Sequence, residues 1–530
     1  MPASAPATAA VPLETELKLR IARDAAPAIA RHPAVKAVRR GRARTVRLVS
    51  TYYDTDDAAL ARAGIALRLR RAGRRWIQTV KGPAAAPPAG GLASRAEYEW
   101  PVTGQALDPL RFPTTPFRRD LGRAERRGLA PRFTTDVART TIPLAFADST
   151  MAQLCIDIGE VRTADGGVVV RAPIHEIELE LEAGDPVRLF ELAQALAADV
   201  PVAFEPASKA ERGYALRHAP AVAPVRAEDA PLPAGCSAAV AFSAFIRASL
   251  AQIERNAHGV VTGDDPEWIH QMRIGVRRLR ACLSLARKAM APPIVEPLRV
   301  ELRWLAHALG PARDLDVFAG ATLPAFADAV RRGGDAALAA SLAKLAARVA
   351  TRRREARAIA RAAVASPRFV HLVLAGAALA AAPDAAGPRD HAGTPRLAVP
   401  AREFARPLLK RRQRALEALG ADLAHATPEA RHAARLAAKQ LRYATEFFAP
   451  LYAKKRTRGY RKALAALQEE LGLWNDAAVA ARLAGELAGA QSPAASAFSG
   501  WAAARGVERA QALAAAWNGF AKTQPFWTRD

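Results

Sequence analysis

The sequence predicts an α+β chain of two domains, in which an antiparallel sheet or barrel is followed by an all-α domain. Three observations predict this class. Polar and apolar residues alternate with period two in several stretches between residues 13 and 215, as in strands with one apolar face. From residue 238 the chain is rich in Ala, Leu and Arg, which is typical of helices. One block then recurs inside the helical part at a fixed distance, which indicates a duplication.

The strand-forming part contains at least five alternating stretches. A Pro-, Gly- and Ala-rich loop at 82–91 separates two of them, and residues 187–199 have the pattern of a helix. Several strands separated by turn residues favour an antiparallel sheet or barrel. The stretches are 14–19, 65–70, 76–81, 97–100 and 174–181.

The helical part repeats itself. The block from His270 to Arg280 resembles the block from His432 to Arg442, at an offset of 432 − 270 = 162 residues. We therefore predict a disordered N-terminus (1–12), a β domain (13–217), a linker (218–237) and a helical domain (238–520). Within the helical domain we expect repeats over about 240–382 and 400–520, joined by a Pro- and Gly-rich stretch.

Composition excludes several classes of protein. Of 530 residues, 51% are hydrophobic, so the chain can bury a large core. The net charge of +26 is uneven, because residues 1–215 carry +6 and residues 216–530 carry +20. Such a chain attracts polyanions. Three distant cysteines do not form a disulfide or metal framework, and no signal peptide or membrane span is expected, so we predict a cytoplasmic protein.

Charges of like sign share single faces of the predicted strands. For one strand, a solvated outer face is the ordinary explanation. Several such faces indicate a site, because clustered carboxylates bind divalent cations and clustered Arg and Lys bind phosphate oxygens. The faces are formed by Glu14, Glu16 and Lys18; by Arg68 and Arg70; and by Glu176, Glu178 and Glu180.

These residues resemble the CYTH, or triphosphate tunnel metalloenzyme, superfamily over 13–215. The pattern Glu14-x-Glu16-x-Lys18 is similar to its ExExK signature, and the further blocks follow in the family's order. They include Tyr52-Tyr53-Asp54-Thr55, Leu67 to Arg70, Thr79 to Gly82, Arg95 to Glu99, Arg139, Asp157 to Gly159, Glu176 to Glu180 and Ser208-Lys209.

The resemblance implies a closed eight-stranded antiparallel tunnel that hydrolyses triphosphates with Mg²⁺ or Mn²⁺. It implies catalytic roles for Glu14, Glu16 and Lys18 and no Ser, Cys or His nucleophile. Glu97 and Glu99 are interpreted as balancing the basic residues. The implied metal ligands are Glu14, Glu16, Asp157, Glu176, Glu178 and Glu180; the implied triphosphate-binding residues are Lys18, Arg68, Arg70, Lys81, Arg95, Arg139 and Lys209.

Two basic stripes mark the helical domain. At helical spacing His270, Arg273, Arg277 and Arg280 fall on one side of a helix, as do His432, Arg435, Lys439 and Arg442. An exposed basic face would explain one stripe, whereas a repeated stripe led by a histidine indicates function. This half resembles the CHAD domain over about 238–520. The resemblance implies two four-helix bundles related by a pseudo-twofold axis, with both stripes binding inorganic polyphosphate.

The leading hypothesis is a bacterial CYTH–CHAD inorganic triphosphatase that hydrolyses tripolyphosphate to pyrophosphate and phosphate and binds polyphosphate on its helices. An organic triphosphatase acting on thiamine triphosphate or a nucleotide, and a class IV-type adenylate cyclase, need the same triphosphate grip. A non-catalytic protein that targets polyphosphate granules is a third hypothesis. Nucleic acid is disfavoured because aromatic residues make up only 6%. The sequence leaves the oligomeric state open.

Overall fold

The computed structural model describes residues 12–84, 88–165, 168–217, 223–383, 396–420, 422–423, 425–489 and 491–528. Contacts divide the chain into two compact units. One unit contains the described part of residues 1–223 together with Val370–Ala381, and the other contains Pro224–Phe369 and the described residues from 382 onward. The expected disordered segment 1–12 lies outside the described residues except for Pro12.

The first unit is a closed barrel. Its strands follow the order β5-β4-β3-β2-β6-β7-β8-β1, and β1 pairs back onto β5, so eight strands form a ring and β9 adds to β1. All pairings are antiparallel, which confirms the predicted eight-stranded barrel. The strands are β1 (Leu13–Ile21), β2 (Arg44–Asp54), β3 (Ala66–Ala72), β4 (Arg75–Ala84), β5 (Leu92–Val102), β6 (Ala130–Ala145), β7 (Met151–Asp165), β8 (Val168–Ala183) and β9 (Val202–Phe204).

Strand β1 is buried on both of its faces. Leu17 and Leu19 on the apolar face are 0% exposed, whereas Glu16 and Lys18 on the other face are each only 6% exposed. A solvated charged face would leave Glu16 and Lys18 open to water. Their burial shows that the charged face of β1 points into the barrel.

Within the described part of residues 12–217, six α-helices connect or flank the barrel strands. The one that positions site residues is α6, which starts at Lys209 behind a reciprocal cap. The Ser208 hydroxyl accepts a hydrogen bond from the Glu211 amide (3.2 Å), and the Glu211 carboxylate accepts one from the Ser208 amide (2.7 Å). The helices are α1 (Ala26–Ala30), α2 (Pro33–Val38), α3 (Ala59–Arg62), α4 (Arg118–Arg126), α5 (Val187–Asp199) and α6 (Lys209–Arg217).

Ten further helices follow in the described part of the chain, and the region after the barrel is all-helical, as predicted. Most of their buried side chains are Leu, Ala, Val, Ile and Phe, which form the core of this part of the chain. The helices are α7 (Ala238–Thr262), α8 (Pro266–Ala286), α9 (Pro292–Val317), α10 (Leu323–Gly333), α11 (Ala336–Val364), α12 (Pro367–Ala381), α13 (Ala401–Glu417), α14 (Pro428–Phe448), α15 (Lys454–Ala488) and α16 (Pro493–Ala521).

The duplication is visible in the helix boundaries. α14 begins 428 − 266 = 162 residues after α8, and α15 begins 454 − 292 = 162 residues after α9. Both α8 and α14 start with proline behind a capping side chain, because Asp265 accepts a hydrogen bond from the Glu267 amide and Thr427 from the Ala430 amide. The repeated sequence thus folds into repeated helices.

The segment 225–228, called the strap below, precedes α7 and is hydrogen-bonded to the helical core. The Asn256 side chain, 0% exposed, accepts a hydrogen bond from the Val225 amide (3.0 Å) and donates one to the Val225 carbonyl (2.9 Å). The Arg278 guanidinium donates to the Glu228 carbonyl at 3.2 Å. Residues Val225 and Glu228 of the predicted linker are therefore tied to α7 and α8.

The cysteines Cys155, Cys236 and Cys282 are free. Among the described residues, no single helix is both long enough and apolar enough to cross a bilayer. Only α11 and α12, counted together, have the required length and apolar composition.

Candidate functional site

A polar cavity of about 140 Å³ lies inside the barrel. Strand register places charged residues side by side on its wall, since Lys18 pairs with Glu178 and Glu16 with Glu180 between β1 and β8. The cavity is lined by Glu14, Glu16, Lys18, Tyr52, Ala66, Arg68, Arg70, Lys81, Arg95, Glu97, Glu99, Arg139, Glu178, Glu180, Ser208, Lys209 and Ala210.

The structure gathers the residues predicted for the tunnel around this one cavity. Two of them, Asp157 and Glu176, are not among the residues that line it, and each is 0% exposed. All the other predicted metal ligands and triphosphate-binding residues line the cavity. The predicted acids therefore differ in their access to a bound ligand.

One cluster of acids faces the cavity. Carboxylate oxygens of Glu14, Glu16 and Glu180 all lie within 4.8 Å of one another. Burial raises the pKa of Glu14, but the Lys81 ammonium and a hydrogen bond with Glu97 together outweigh it and hold that pKa at about 2. Burial raises the pKa of Glu180. Three converging carboxylates match the oxygen ligands that Mg²⁺ and Mn²⁺ prefer, so this donor set fits a divalent cation.

A second cluster is buried and already paired. Oxygens of Asp157, Glu176 and Glu178 also lie within 4.8 Å of one another. The Lys209 ammonium contacts all three carboxylates. Although burial opposes ionisation, Lys209 and Arg139 lower the pKa of Asp157 and of Glu178. Asp157 and Glu178 are therefore held as carboxylates by neighbouring cations.

Strands β3 to β5 supply a basic wall. Arg68 pairs with Glu97 at 3.2 Å and with Glu99 at 3.5 Å, and Arg70 donates to the Ser50 hydroxyl at 3.3 Å. Burial and the charges of Arg68 and Arg139 lower the pKa of Arg70 to about 10. Within the described structure, the Nε atoms of Arg68 and Arg95 are buried without a hydrogen-bond partner. This wall therefore has capacity for an anion.

The cavity is also lined by Tyr52, Glu97 and Glu99, which lie outside the predicted binding set. Tyr52 pairs with Arg68 in the β2–β3 register; burial raises its pKa, but the charges of Arg68, Arg70 and Lys209 prevail and lower it. Glu97 contacts Lys81 at 3.2 Å as well as Arg68, and burial raises its pKa to about 7. Glu99 accepts a hydrogen bond from Thr79 at 2.9 Å. The pairing of Glu97 and Glu99 with bases agrees with their predicted balancing role, whereas only strand register could have identified Tyr52.

In the helical unit, a cavity of about 420 Å³ brings the two repeats together. It is lined by His270, Arg273 and Arg277 of the first stripe and by Arg435 and Lys439 of the second. The other members of the stripes diverge. Arg280 lines an adjoining cavity of about 610 Å³, Arg442 lines one of about 880 Å³, and His432 is exposed and lines none of these three.

The cavity between the two repeats, called the repeat cavity below, holds several cations that are partly removed from water. Burial and the charges of Arg435 and Arg277 lower the pKa of Lys439 to about 7. Burial and Arg313 lower the pKa of His270 to about 4. Asp314 and Asp476 line the same cavity and are outnumbered by its bases. Desolvated cations in this excess favour a polyanion.

Comparisons with known proteins agree with this division. Residues 12–214 match the family model of the CYTH domain, and residues 244–485 match that of the CHAD domain. The chain is 33% identical over 172 residues to an inorganic triphosphatase of Haemophilus influenzae. That match covers 32% of this chain and 46% of the relative, so the chain spans about half of the relative's length.

Solved structures resemble each part. The CHAD domain of the plant Ricinus communis is 36% identical, with 57% of this chain and 98% of that chain covered and a TM-score of 0.48. A putative adenylyl cyclase from Hippeastrum with a dominant triphosphatase activity is 16% identical, with 39% and 96% covered and a TM-score of 0.27.

Proposed function

We propose that this chain, which belongs to the CYTH family in its barrel and to the CHAD family in its helices, is a metal-dependent enzyme. It hydrolyses tripolyphosphate to pyrophosphate and phosphate. The observation that carries the proposal is the composition of the barrel cavity. Seven Lys and Arg side chains line it together with the Glu14–Glu16–Glu180 cluster. Bases that grip phosphates beside acids that bind a metal are what phosphoryl transfer to water requires.

The residues that line the barrel cavity have different proposed roles, according to their positions. Arg68, Arg70 and Arg95 bind phosphate oxygens, and their planar guanidinium groups accommodate two oxygens each. Lys18 stabilises the charge that develops on the oxygens as water displaces the terminal phosphoryl group. Mg²⁺ or Mn²⁺ held by Glu14, Glu16 and Glu180 would neutralise phosphate charge and lower the pKa of a bound water.

Purified full-length protein tests the proposal. With Mg²⁺ or Mn²⁺ it should release phosphate from tripolyphosphate, and Glu14→Gln should lower kcat/KM by about a hundredfold or more. Glu125→Gln, at an exposed position of α4, serves as the matched control and should be unaffected. Equal turnover by Glu14→Gln and wild type would refute the tunnel assignment.

The same phosphate-binding residues would also accommodate the triphosphate group of an organic substrate. A panel of tripolyphosphate, thiamine triphosphate and ATP, with phosphate and cyclic-nucleotide detection, separates the hypotheses. The highest kcat/KM on tripolyphosphate supports the proposal. A preference for thiamine triphosphate or ATP would assign an organic triphosphatase, and cyclic nucleotide formation would assign a cyclase.

We propose further that the helical unit binds inorganic polyphosphate in the cavity between its repeats. The convergence of Arg273, Arg277, Arg435 and Lys439 on one cavity supports this. Replacing these four with Gln should abolish polyphosphate binding, measured by calorimetry over a range of salt concentrations. The control replaces three exposed arginines and one exposed lysine outside the cavity, Arg331, Arg332, Arg505 and Lys344. Equal losses in both variants would attribute binding to overall charge.

A further inference from the structure

The two acid clusters of the tunnel differ in what neutralises them. The outer triad is Glu14, Glu16 and Glu180, and the inner triad is Asp157, Glu176 and Glu178. The outer triad lines the cavity, whereas two of the three inner acids do not reach it. The family resemblance implies metal ligands in both sets, with Asp157 and Glu180 as auxiliary ligands.

A lysine occupies the centre of the inner triad. The Lys209 Nζ lies 2.7 Å from Asp157 and 2.7 Å from Glu178 and also contacts Glu176. The Lys209 ammonium donates a hydrogen bond to Glu178 and forms ion pairs with Asp157 and Glu176. The Lys209 side chain is 10% exposed, and its three partners are 0–6% exposed. The inner triad thus surrounds Lys209 as ligands surround a cation.

Two arginines complete the neutralisation. Arg139 donates two hydrogen bonds to Asp157 and also contacts Glu178. Arg212, one turn after Lys209 on α6, donates to Glu176 at 2.8 Å. Three buried carboxylates therefore face one buried cation, Lys209, and two half-buried arginines, which also contact Glu180 and Glu205 outside the triad. A divalent ion added there would lie against Lys209 in a poorly solvated site, which is costly.

The outer triad has less compensation. Within the described residues, Lys81 pairs with Glu14, Lys18 approaches Glu16 at 3.9 Å, and Arg139 reaches Glu180 at 2.8 Å. Lys81 also pairs with Glu97, and Arg139 is shared with the inner triad. The outer carboxylates line the cavity and share their cations with other acids, so their charge is incompletely neutralised. The free energy of binding a divalent ion is therefore more favourable there than in the inner triad.

We propose that Lys209 acts as an internal cation that fills the inner triad and thereby confines divalent-metal binding in the substrate-free chain to the outer triad. The inference rests on the proposed function and names which of its acids take the metal. Its residues are positioned by fold elements: the Ser208–Glu211 cap fixes the start of α6, and the β7–β8 register sets Asp157 opposite Glu176.

Mn²⁺ binding to the metal-stripped full-length protein tests the inference, with bound ions counted from the loss of the free Mn²⁺ paramagnetic resonance signal. Wild type should bind one tunnel ion. Glu14→Gln should weaken that binding by about tenfold or more, whereas Glu176→Gln, an equally conservative change in the inner triad, should leave it unchanged. Circular dichroism verifies that both variants are folded.

Lys209→Met should open the inner triad, so a second Mn²⁺ binds and raises the melting temperature more than in wild type. If this variant does not fold, the Glu14–Glu176 comparison still decides the matter. Two tunnel ions in wild type, or equal weakening by Glu14→Gln and Glu176→Gln, would overturn the inference. Failure of the proposed function has a different signature, because the chain would then bind Mn²⁺ as expected and leave tripolyphosphate intact.

Discussion

Arg139 of β6 and Asp157 of β7 face each other directly in the strand register, and the guanidinium donates two hydrogen bonds to the carboxylate at 2.8 and 2.7 Å. The pair lies at the junction of the two triads, because Arg139 also contacts Glu178 and Glu180. A two-point contact fixes the plane of the guanidinium group, which a lysine in its place would not do. Arg139 thereby links the buried acids to those that line the cavity.

Replacing Arg139 with methionine should destabilise the barrel by about 3–5 kcal/mol, because it leaves buried carboxylates without their partner. Urea unfolding in EDTA measures the change. Arg47→Met supplies a matched control, since Arg47 makes the same two-point contact with Asp136 between neighbouring strands but is 70% exposed. Its unfolding midpoint should hardly move. Similar losses in both variants would show that burial does not set the strength of these pairs.

Gly91→Ala should impair both stability and triphosphate hydrolysis. Gly91 has φ = 75°, its carbonyl accepts a hydrogen bond from the Lys18 amide at 2.9 Å, and a Cβ there would lie 2.5 Å from the Lys18 carbonyl oxygen. The alanine therefore adds a clash with β1 to the backbone strain of about 1–2 kcal/mol.

Gly73→Ala separates the two effects. Gly73 has φ = 63°, and a Cβ added there would meet no described atom within 4 Å, so alanine at this position adds the backbone strain alone. Thermal unfolding and kcat/KM should fall further for Gly91→Ala than for Gly73→Ala. Indistinguishable values would mean that the contact between Gly91 and Lys18 is unimportant.

Polyphosphate binding should weaken as the pH rises above 7. The pKa of Lys439 is about 7 in the free chain, so its ammonium is mostly protonated at pH 6 and mostly neutral at pH 8. A bound polyanion favours the protonated form, so binding takes up a proton above pH 7 and affinity falls there. The pKa of His270 is about 4, so His270 is neutral in the free chain between pH 6 and pH 8.

Lys439→Arg should retain the affinity at pH 6 and show a smaller decrease between pH 6 and 8, because arginine keeps its charge throughout. Calorimetry with long polyphosphate chains, which have few titrating end groups, measures both proteins. An identical pH dependence in wild type and Lys439→Arg would assign the effect to another group.

Asn256→Ala should release the strap before α7. The two hydrogen bonds to Val225 are lost, and trypsin should cleave faster after the exposed Arg226. Thr262→Ala, at an exposed position of the same helix, should leave the cleavage rate unchanged. An unchanged rate in Asn256→Ala would show that Arg278 alone holds the strap.

Alternation along single strands predicted part of the charged lining of the barrel, whereas Lys81, Arg95, Arg139 and Lys209 were implied only by the family resemblance. It identified Glu14, Glu16 and Lys18 because side chains two residues apart share a face. It could not distinguish the inner triad from the outer one, because that difference depends on where Lys209 of α6 meets the sheet. Contacts between distant segments are fixed by packing and leave no periodic signal.

The helical repeats show the same limit. His270 and His432 occupy equivalent positions at the 162-residue offset (432 − 270), yet His270 lines the repeat cavity and His432 is exposed. Their neighbours differ, because Arg313 lies beside His270 whereas Asn475 occupies the equivalent position in the second repeat. A repeated motif predicts repeated helices, and the environment of each side chain depends on its neighbours.

Strand β1 pairs with β5, β8 and β9, although it is the first strand of the chain. During synthesis its β8 and β9 partners emerge only after some 150 further residues, counted from Ile21 to Val168 as 168 − 21 = 147. Until then Glu14, Glu16 and Lys18 remain on an unclosed strand, and such distant pairings form slowly. The nascent barrel therefore has no assembled cavity, and the residues proposed for the site come together only when the ring closes.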